Sequence, residues 1–339
     1  MTALDNKALE SGRAPAPPLT HPHAAATPRQ TTLASCVRCS GVGLHSGVPI
    51  SMTLHPAPAD SGITFRRTDL PGTPTIPARW DAVTDSTLCT TLARGAAHVA
   101  TVEHLLSALA GMAVDNAVVD LDGPEVPIMD GSAAPFVFLI ECAGLTAQTA
   151  PRRALRLCKT VTASDGDRRV TLAPPKPGAA ESGLSLTFTI DFDSPAIARQ
   201  SWTVALADAG YKRDVARART FGFLADVDRL RAAGLARGGS LDNAIVVDHG
   251  RVVNEGGLRY SNEFVRHKIL DCVGDLYLAG APIIGDFTGE RSGHALNHEL
   301  LRTLFAEPAA WVWEPALTAD PSITDPSIAD PGIAAAGCA

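Results

Sequence analysis

Three ionisable side chains fall along one face of a predicted helix between Asn262 and Gly280. His267, Asp271 and Asp275 stand at positions i, i+4 and i+8, so their side chains project as one stripe. A histidine one helical turn from a carboxylate supplies two of the ligands of an open, catalytic zinc site. The same spacing is also typical of a solvated surface pair, so it leaves both interpretations open.

A second charged pair, Glu103-His104, lies in the first turn of another predicted helix. The positive end of the helix dipole disfavours an imidazolium there, which keeps His104 neutral and able to bind a metal, and it favours Glu103 as a carboxylate. His104, His267 and Asp271 together make a set of two histidines and one carboxylate. Such a set leaves a fourth position for water, with Glu103 as a candidate general base.

Four more side chains allow both a chemical and a structural interpretation. His294, in the loop that opens the last predicted helix, could be a general acid or stabilise an oxyanion, or it could be a half-buried helix-cap residue. Asp275 could fix the tautomer of that imidazole or be solvated. Thr220 could donate to an oxyanion or be an ordinary strand residue, and Lys268 could bind phosphate or be a solvated helix lysine.

The order of predicted elements is repeated in the two halves of the chain. In the first half we predict strands at 50–55, 62–66, 75–78 and 116–123, a helix at 101–112 with Thr101 as its N-cap, and a helix from Ala133 onwards. In the second half we predict strands at 155–164, 169–173, 184–192 and 243–253, helices at 207–219 and 262–280, and a strand, a loop and a last helix over 280–305. Strands followed by helices, twice over, predict an α+β fold of two similar lobes rather than a doubly wound sheet.

This pattern divides the chain into four parts. Residues 31–150 make the first predicted lobe and residues 151–315 the second. Residues 1–30, which are rich in Ala, Pro and Thr, are predicted to be a disordered tail. Residues 316–339 carry a five-residue Asp-Pro repeat and are predicted to be a second disordered tail.

Composition argues against several classes of protein. The 339 residues carry a formal net charge of −7, so the chain has no general basic field for nucleic acid or an anionic membrane. No apolar run approaches the roughly 20 residues that span a bilayer, and the N-terminus lacks the apolar core of a secretory signal. The 7 cysteines are scattered, which is typical of the reducing cytoplasm. We therefore expect a cytoplasmic protein. We also expect a monomer, because no separate interface signature stands out.

Six segments, taken together and in order, resemble the zinc-dependent UDP-3-O-acyl-N-acetylglucosamine deacetylase family of lipid A biosynthesis: TVEHLLSALAG, EVPIMDGSAAPF, RTFGF, GGSLDNAIVV, NEFVRHKILDCVGDLYLAG and SGHALNHELL. The resemblance runs from about residue 33 to 306. It implies two lobes of like topology, each a β-sheet layered with α-helices, with the active site between them. It also implies removal of acetate from UDP-3-O-(3-hydroxyacyl)-N-acetylglucosamine, the committed step of lipid A (lipopolysaccharide) biosynthesis.

The resemblance implies a role for each candidate catalytic residue. Zinc would be held by His104, His267 and Asp271. Glu103 would be the general base that activates zinc-bound water, and His294 would be the general acid or an electrostatic partner.

Three further roles follow from the same resemblance, and the first two support the reacting groups. Asp275 would orient His294, and Thr220 would stabilise the oxyanion together with zinc. Lys268 would contact the substrate near its phosphates.

The resemblance also implies substrate contacts at Leu88, Cys89, Arg168, Phe192, Phe221, Phe223 and Arg291. Phe192 matches the aromatic position that stacks on uracil, and the stretch from Phe223 through GGSLDNAIVV corresponds to an apolar passage for the acyl chain. Arg168 and Arg291 stand where lysines are expected. An arginine keeps the positive charge but presents a planar fork instead of a point donor, so these two contacts depart from the family pattern.

Two other functions remain open at this stage. The chain could be a catalytically silent homologue that binds a nucleotide-sugar or acyl ligand, although Glu103, Thr220 and His294 complete the catalytic set. It could also be a zinc hydrolase that acts on a different amide, because the metal chemistry does not specify the sugar or the acyl chain. Fe²⁺ could replace Zn²⁺, since two histidines and a carboxylate suit both metals.

Overall fold

The computed structural model describes residues 28–176, 183–206 and 210–316. The two predicted tails lie outside the described residues except at 28–30 and 316, as do residues 207–209 of the predicted helix 207–219. The first strand begins at Arg29, inside the segment predicted as a tail.

The strands up to residue 151 are β1 (Arg29–Leu33), β2 (Val37–Val42), β3 (Pro49–Pro56), β4 (Ile63–Arg67), β5 (Thr75–Pro77), β6 (Val83–Asp85), β7 (Thr91–Arg94), β8 (Ala97–Val99), β9 (Ala117–Leu121) and β10 (Leu145–Pro151). The strands beyond it are β11 (Arg153–Leu157), β12 (Val161–Asp165), β13 (Arg168–Ala173), β14 (Leu184–Asp191), β15 (Arg199–Ala205), β16 (Phe221–Phe223), β17 (Ile245–Asp248), β18 (Arg251–Val252), β19 (Ile283–Glu290) and β20 (Trp311–Pro315). The helices are α1 (Glu103–Gly111), α2 (Ala134–Ala143), α3 (Leu224–Ala232), α4 (Glu263–Tyr277) and α5 (His294–Ala306).

The largest sheet before residue 151 has five strands in the order β2-β3-β9-β4-β5. Its central strand, β9, pairs antiparallel with β3 and parallel with β4. Buried and half-buried residues alternate along β3, β4 and β9. Because side chains alternate between the two faces of a strand, one apolar face of the sheet points inwards. On that face Phe65 and Val119 belong to one core with Leu105 of α1 and Phe136 of α2.

The largest sheet beyond residue 151 has seven strands. Its main path is β12-β13-β19-β11-β20, and β14 pairs with both β19 and β15. The inward residues Leu172, Phe188 and Phe287 share a core with Ile269 of α4 and Leu300 of α5. Helices on antiparallel and mixed sheets confirm the predicted α+β class.

Strands on either side of residue 151 pair only with strands on the same side, as far as the described residues extend. This agrees with the expected division of the chain, but the two-lobe arrangement and its boundary stay a prediction. None of the helices in the described ranges combines the length and apolar character needed to cross a bilayer.

Helices α1 and α4 pack against each other at a glycine. A Cβ atom at Gly274 would lie 2.0 Å from the carbonyl oxygen of Glu103, which no side chain tolerates. Glycine in a helix interior costs about 1 kcal/mol relative to alanine, so its presence here indicates a packing requirement. This close approach brings the first turn of α1 beside the ionisable face of α4.

Most predicted elements of the first half are confirmed, with shifts of one or two residues at their ends. The predicted N-cap is wrong. Thr101 has φ of 56° and its hydroxyl donates to Glu125 Oε1 at 2.9 Å, so the residue before α1 is Val102, which makes no side-chain cap.

Three predictions in the second half are wrong. The predicted strand 155–164 is two strands, because the N–H groups of Cys158 and Lys159 leave the ladder and donate to the carbonyl of Ala310. The predicted strand 243–253 is the hairpin β17-β18, whose turn residues His249 and Gly250 both have positive φ, as a type I′ turn requires.

The third error concerns the predicted helix 207–219, whose described part contains only a short π-helical segment at Tyr211–Val215. Tyr211 is buried there, with its hydroxyl donating to Ser107 Oγ at 2.8 Å. The tertiary contact therefore overrides the polar periodicity. The sequence prediction also missed β15, β20 and α3.

Candidate functional site

The structure brings His104, His267 and Asp271 together between α1 and α4. Asp271 Oδ1 lies 3.2 Å from His267 Nε2 and 3.5 Å from His104 Nε2. One potential ligand atom from each residue lies within 4.8 Å of the others, and all three residues are buried. The two imidazole rings meet nearly at right angles, with centroids 5.0 Å apart.

The protonation of His267 indicates what this cluster is built to hold. Its Nδ1 lies 3.0 Å from the carbonyl oxygen of Ala218, which can only accept a hydrogen bond, so Nδ1 carries the proton. Burial lowers the pKa of His267 to about 4, so the ring is neutral and Nε2 carries a lone pair. That lone pair faces an oxygen of Asp271, and a cation between the two acceptors would remove their repulsion. The donor set therefore fits a metal ion.

Asp271 is held as a carboxylate. Burial alone would raise its pKa, but nearby positive charge, including that of Lys268, outweighs burial and keeps that pKa well below the usual range. Lys268 Nζ donates to Oδ2 at 2.7 Å, which leaves Oδ1 facing the two histidines. In this structure Lys268 therefore supports a candidate ligand directly.

Glu103 lies beside the cluster with its side chain almost fully buried. Its Oε2 accepts the N–H of Thr90 at 3.0 Å, and its Oε1 lies 3.9 Å from His294 Nε2. Burial raises the pKa of Glu103, in part offset by the charge of His294. A carboxyl group with a raised pKa, one residue from a metal ligand, is suited to accept a proton.

His294 is oriented by Asp275. Nδ1 of His294 lies 2.8 Å from Asp275 Oδ2, and Nε2 points towards Glu103 and towards Asp271 Oδ2, which is 4.0 Å away. Burial lowers the pKa of His294, but the charge of Asp275 and its hydrogen bond outweigh that effect and raise the pKa to about 9. The imidazole is therefore a proton donor aimed at the candidate metal cluster.

These residues line one cavity of about 240 Å³. The predicted residues that line it are Leu88, Glu103, His104, Phe192, Thr220, Phe221, His267, Lys268, Asp271 and His294. Asp275 lies behind the cavity wall, where it bonds to His294. Thr220 reaches the wall because its N–H donates to Gly131 at 2.8 Å while its carbonyl accepts the N–H of Ile245 at 2.7 Å.

An aromatic row extends along one wall of the cavity. The rings of Phe192 and Phe221 are 5.6 Å apart, and Phe221 in turn lies 6.3 Å from the ring of His267. Phe223 contacts Phe192 with centroids 6.0 Å apart, but it does not line the cavity as the described residues define it. The row connects the candidate metal cluster with the position predicted to stack on uracil.

Besides Phe223, three predicted substrate contacts lie outside the cavity lining. Cys89 is buried, and burial raises the pKa of its thiol to about 12, so it is an unreactive neutral group. Arg168 pairs with Asp165 on the surface at 2.7 Å. Arg291 is held by two carboxylates, as described below.

One loop of the cavity wall contained no predicted site residue. Leu44 and His45 line the cavity and belong to the segment GVGLHSG, at residues 41–47. The N–H groups of His45 and Ser46 both donate to the buried carboxylate of Glu125, each at 2.9 Å. A Cβ at Gly43 would lie 2.4 Å from Glu125 Oε2, so the glycine was the signal for this close approach.

Comparisons with known proteins agree with this geometry. The family model for LpxC, UDP-3-O-acyl N-acetylglycosamine deacetylase, matches residues 30–306. The UDP-3-O-acyl-N-acetylglucosamine deacetylase of Acidithiobacillus ferrooxidans is 54% identical over 285 residues, which cover 84% of this chain and 92% of that protein. The corresponding proteins of Xanthomonas axonopodis pv. citri and Hahella chejuensis are each 50% identical, over 87% and 84% of this chain and 97% and 92% of their own lengths. The chain therefore belongs to the UDP-3-O-acyl N-acetylglycosamine deacetylase (LpxC) family.

Proposed function

We propose that this protein hydrolyses the N-acetyl amide of UDP-3-O-(3-hydroxyacyl)-N-acetylglucosamine, the committed step of lipid A biosynthesis. The observation that carries the proposal is the convergence of Glu103, His294 and a metal-ligand triad on one cavity in a member of this family. The names of the relatives support the choice of substrate. The complete set of ionisable groups argues against a catalytically silent homologue.

The metal ion belongs to this proposal. His104, His267 and Asp271 would hold it, and Zn²⁺ is the first candidate because two imidazoles and a carboxylate with a fourth position open are typical of catalytic zinc. Fe²⁺ is the alternative for the same donor set. When bound, the ion would polarise the amide carbonyl and lower the pKa of a nearby water.

The protein's own groups would then move the protons. Glu103 would take a proton from the water whose oxygen attacks the acetyl carbonyl carbon. His294, protonated at Nε2 and held by Asp275, would give a proton to the departing sugar nitrogen as the C–N bond breaks. Thr220 would donate to the developing oxyanion. The products are acetate and the free amine.

The substrate would extend from this centre along the cavity. Phe192 would stack on the uracil ring, and Phe221 and Phe223 would continue the apolar wall. Leu88 would contact the substrate from the cavity wall, and Cys89 would shape that wall from behind it. Lys268, Arg168 and Arg291 would lie towards the phosphates, where positive charge is required; this set is proposed from the family resemblance.

The domain organisation, the localisation and the oligomeric state are also proposed, on the basis of the sequence. The chain would comprise lobes at 31–150 and 151–315, with the site between them, and it would act as a cytoplasmic monomer. Light scattering of the purified protein tests the monomer directly, and a dimer mass would contradict it.

The test is acetate release from the UDP-acyl-glucosamine substrate, with metal counted in the same sample. We compare the wild type with Glu103→Ala and with the control Glu299→Ala, which removes an exposed carboxylate on α5. Glu103→Ala should lower kcat by about 10²- to 10⁴-fold and keep its metal, whereas Glu299→Ala should match the wild type. A metal-loaded wild type that releases no acetate from this substrate, but does so from another amide, would transfer the proposal to that amide.

A further inference from the structure

Thr90 lies behind the cavity and uses each of its polar atoms to join the candidate catalytic groups. It is fully buried and immediately precedes β7. Its N–H donates to Glu103 Oε2 at 3.0 Å, and its carbonyl accepts the N–H of Val102 at 3.4 Å. Its backbone therefore fixes both the start of α1 and the carboxylate of the proposed base.

The hydroxyl of the same residue reaches the proposed acid. Thr90 Oγ1 lies 2.6 Å from Asp275 Oδ1, and the other oxygen of Asp275 accepts from His294 Nδ1 at 2.8 Å and from Asn297 Nδ2 at 2.9 Å. Burial alone would raise the pKa of Asp275, but the charge of His294 and the hydrogen bonds from His294 and Thr90 outweigh it and lower the pKa to about 2. Asp275 is therefore a carboxylate that only accepts hydrogen bonds, and it must receive the hydroxyl proton of Thr90.

That direction determines the tautomer of a buried histidine for which the proposed mechanism has no role. His298 Nε2 lies 2.8 Å from Thr90 Oγ1. Because the hydroxyl proton points to Asp275, the oxygen can only accept from His298, so His298 carries its proton on Nε2. Its Nδ1 is buried with no hydrogen-bond partner among the described residues, as expected for a bare nitrogen in the Nε2–H tautomer.

We propose that Thr90 is a positioning residue for deacetylation: it holds Glu103 through its backbone and His294 through Asp275, and His298 fixes the direction of its hydroxyl. The inference rests on the proposed function for the identity of the reaction. Thr90 does not line the cavity, so it acts through these partners and not on the substrate. Four segments meet at this one residue: its own loop, α1, α4 and α5.

The kinetic test replaces Thr90 by residues that keep its backbone. Thr90→Val has nearly the same volume and keeps the N–H to Glu103, but it leaves Asp275 Oδ1 and His298 Nε2 without their partner. We expect kcat to fall by about 10- to 100-fold, since a hydrogen bond to a buried charged group is lost, while KM stays within about threefold. Thr90→Ser keeps a hydroxyl and should restore kcat to within about threefold of the wild type.

The matched control is Thr91→Val, the same chemical change one residue further on. Among the described residues, the hydroxyl of Thr91 makes one long contact, with Cys89 Sγ at 3.9 Å. This variant should have wild-type kcat. Wild-type kcat in Thr90→Val, or a KM increase as large as the kcat decrease, would overturn the positioning role. If Thr90→Val does not fold, Thr90→Ser decides, because loss of activity there with normal folding would contradict the hydroxyl's role.

A second measurement does not depend on turnover. ¹⁵N NMR of histidine-labelled protein, assigned with a His298→Gln variant, reports which ring nitrogen of His298 carries the proton. We expect the Nε2–H tautomer in the wild type, and a proton on Nδ1 would overturn the hydrogen-bond arrangement. If the wild type releases no acetate, the proposed function fails, while the tautomer still supports or overturns the arrangement by itself.

Discussion

α4 buries one carboxylate in its first turn and another near its middle, and the two are satisfied in opposite ways. At the first turn, Glu263 is fully buried, and Arg219 donates to it through its N–H, Nε and Nη2 at 2.9 to 3.1 Å. The N–H of Arg259 also donates to Glu263, at 2.5 Å. Two turns later, Asp271 Oδ1 faces the bare Nε2 of His267 with no proton between them.

The contrast between Glu263 and Asp271 shows which buried charge is structural. The Glu263 carboxylate is surrounded by donors, so its burial is compensated within the chain. Asp271 and His267 present two acceptors to each other, and this arrangement is stable only when a cation joins them. Burial and charge are the same at both positions of the helix. The balance of donors and acceptors separates an anchor from a site.

Removing a histidine from the acceptor cluster is the strongest test of this comparison. His267→Ala should weaken metal binding by more than about 100-fold and lower turnover by at least about 10³-fold, because a ligand and the order of the site are lost. Metal content by atomic emission and acetate release measure the two effects. His249→Ala, at an exposed turn, should retain both, and a metal-replete His267→Ala would contradict the distinction between Glu263 and Asp271.

The next effect separates orientation of the acid from metal binding. Asp275→Asn should lower kcat about 100-fold, because His294 loses the charge that holds its proton. The acid must be protonated, so wild-type activity falls as pH rises through the His294 pKa of about 9. Without the carboxylate charge that pKa drops, and the alkaline limb of kcat/KM moves to lower pH. Asp81→Asn, an exposed control, should leave the limb in place.

At Glu263, in the first turn of α4, the expected effect is on stability. Glu263→Gln should lower the free energy of unfolding by about 3 kcal/mol, because it leaves the Arg219 guanidinium partly buried without a countercharge. Urea denaturation measures the change. Metal stoichiometry should stay at the wild-type value, and Glu299→Gln should change stability by less than about 0.5 kcal/mol. Loss of metal in Glu263→Gln would show that the two carboxylates are not independent.

The smallest effect is expected at the exposed rim. Arg291 pairs with Asp191 at 2.6 Å and also with Asp167, so its charge is already compensated and open to solvent. Arg291→Gln should raise KM by less than about fivefold, and the difference should shrink as salt is added. A KM increase above about tenfold would instead indicate direct pairing with the substrate phosphates, and Arg291→Lys would then show whether the planar fork matters.

Local sequence determined the elements that carry the chemistry. The apolar spacing of residues 262–280 specified α4 with His267, Asp271 and Asp275 on one face, and this helix is observed at Glu263–Tyr277. Glu103-His104 was placed correctly in the first turn of α1. Such patterns are readable because helical periodicity involves residues only three or four positions apart. The family resemblance supplied the pairing of these segments.

Long-range packing decided what the pattern did not contain. The hydroxyl of Thr90 meets Asp275 185 positions along the chain, and only the folded structure brings them within 2.6 Å. The predicted strand 155–164 was wrong because the N–H groups of Cys158 and Lys159 donate to the carbonyl of Ala310 instead of to a neighbouring strand. In the same way, the bare nitrogen of His267 became evident only when Ala218 was seen to accept its other proton. Hydrogen-bond direction depends on the partner as well as on the residue. The sequence therefore determined the types of the site residues, and the tertiary structure determined their protonation and orientation.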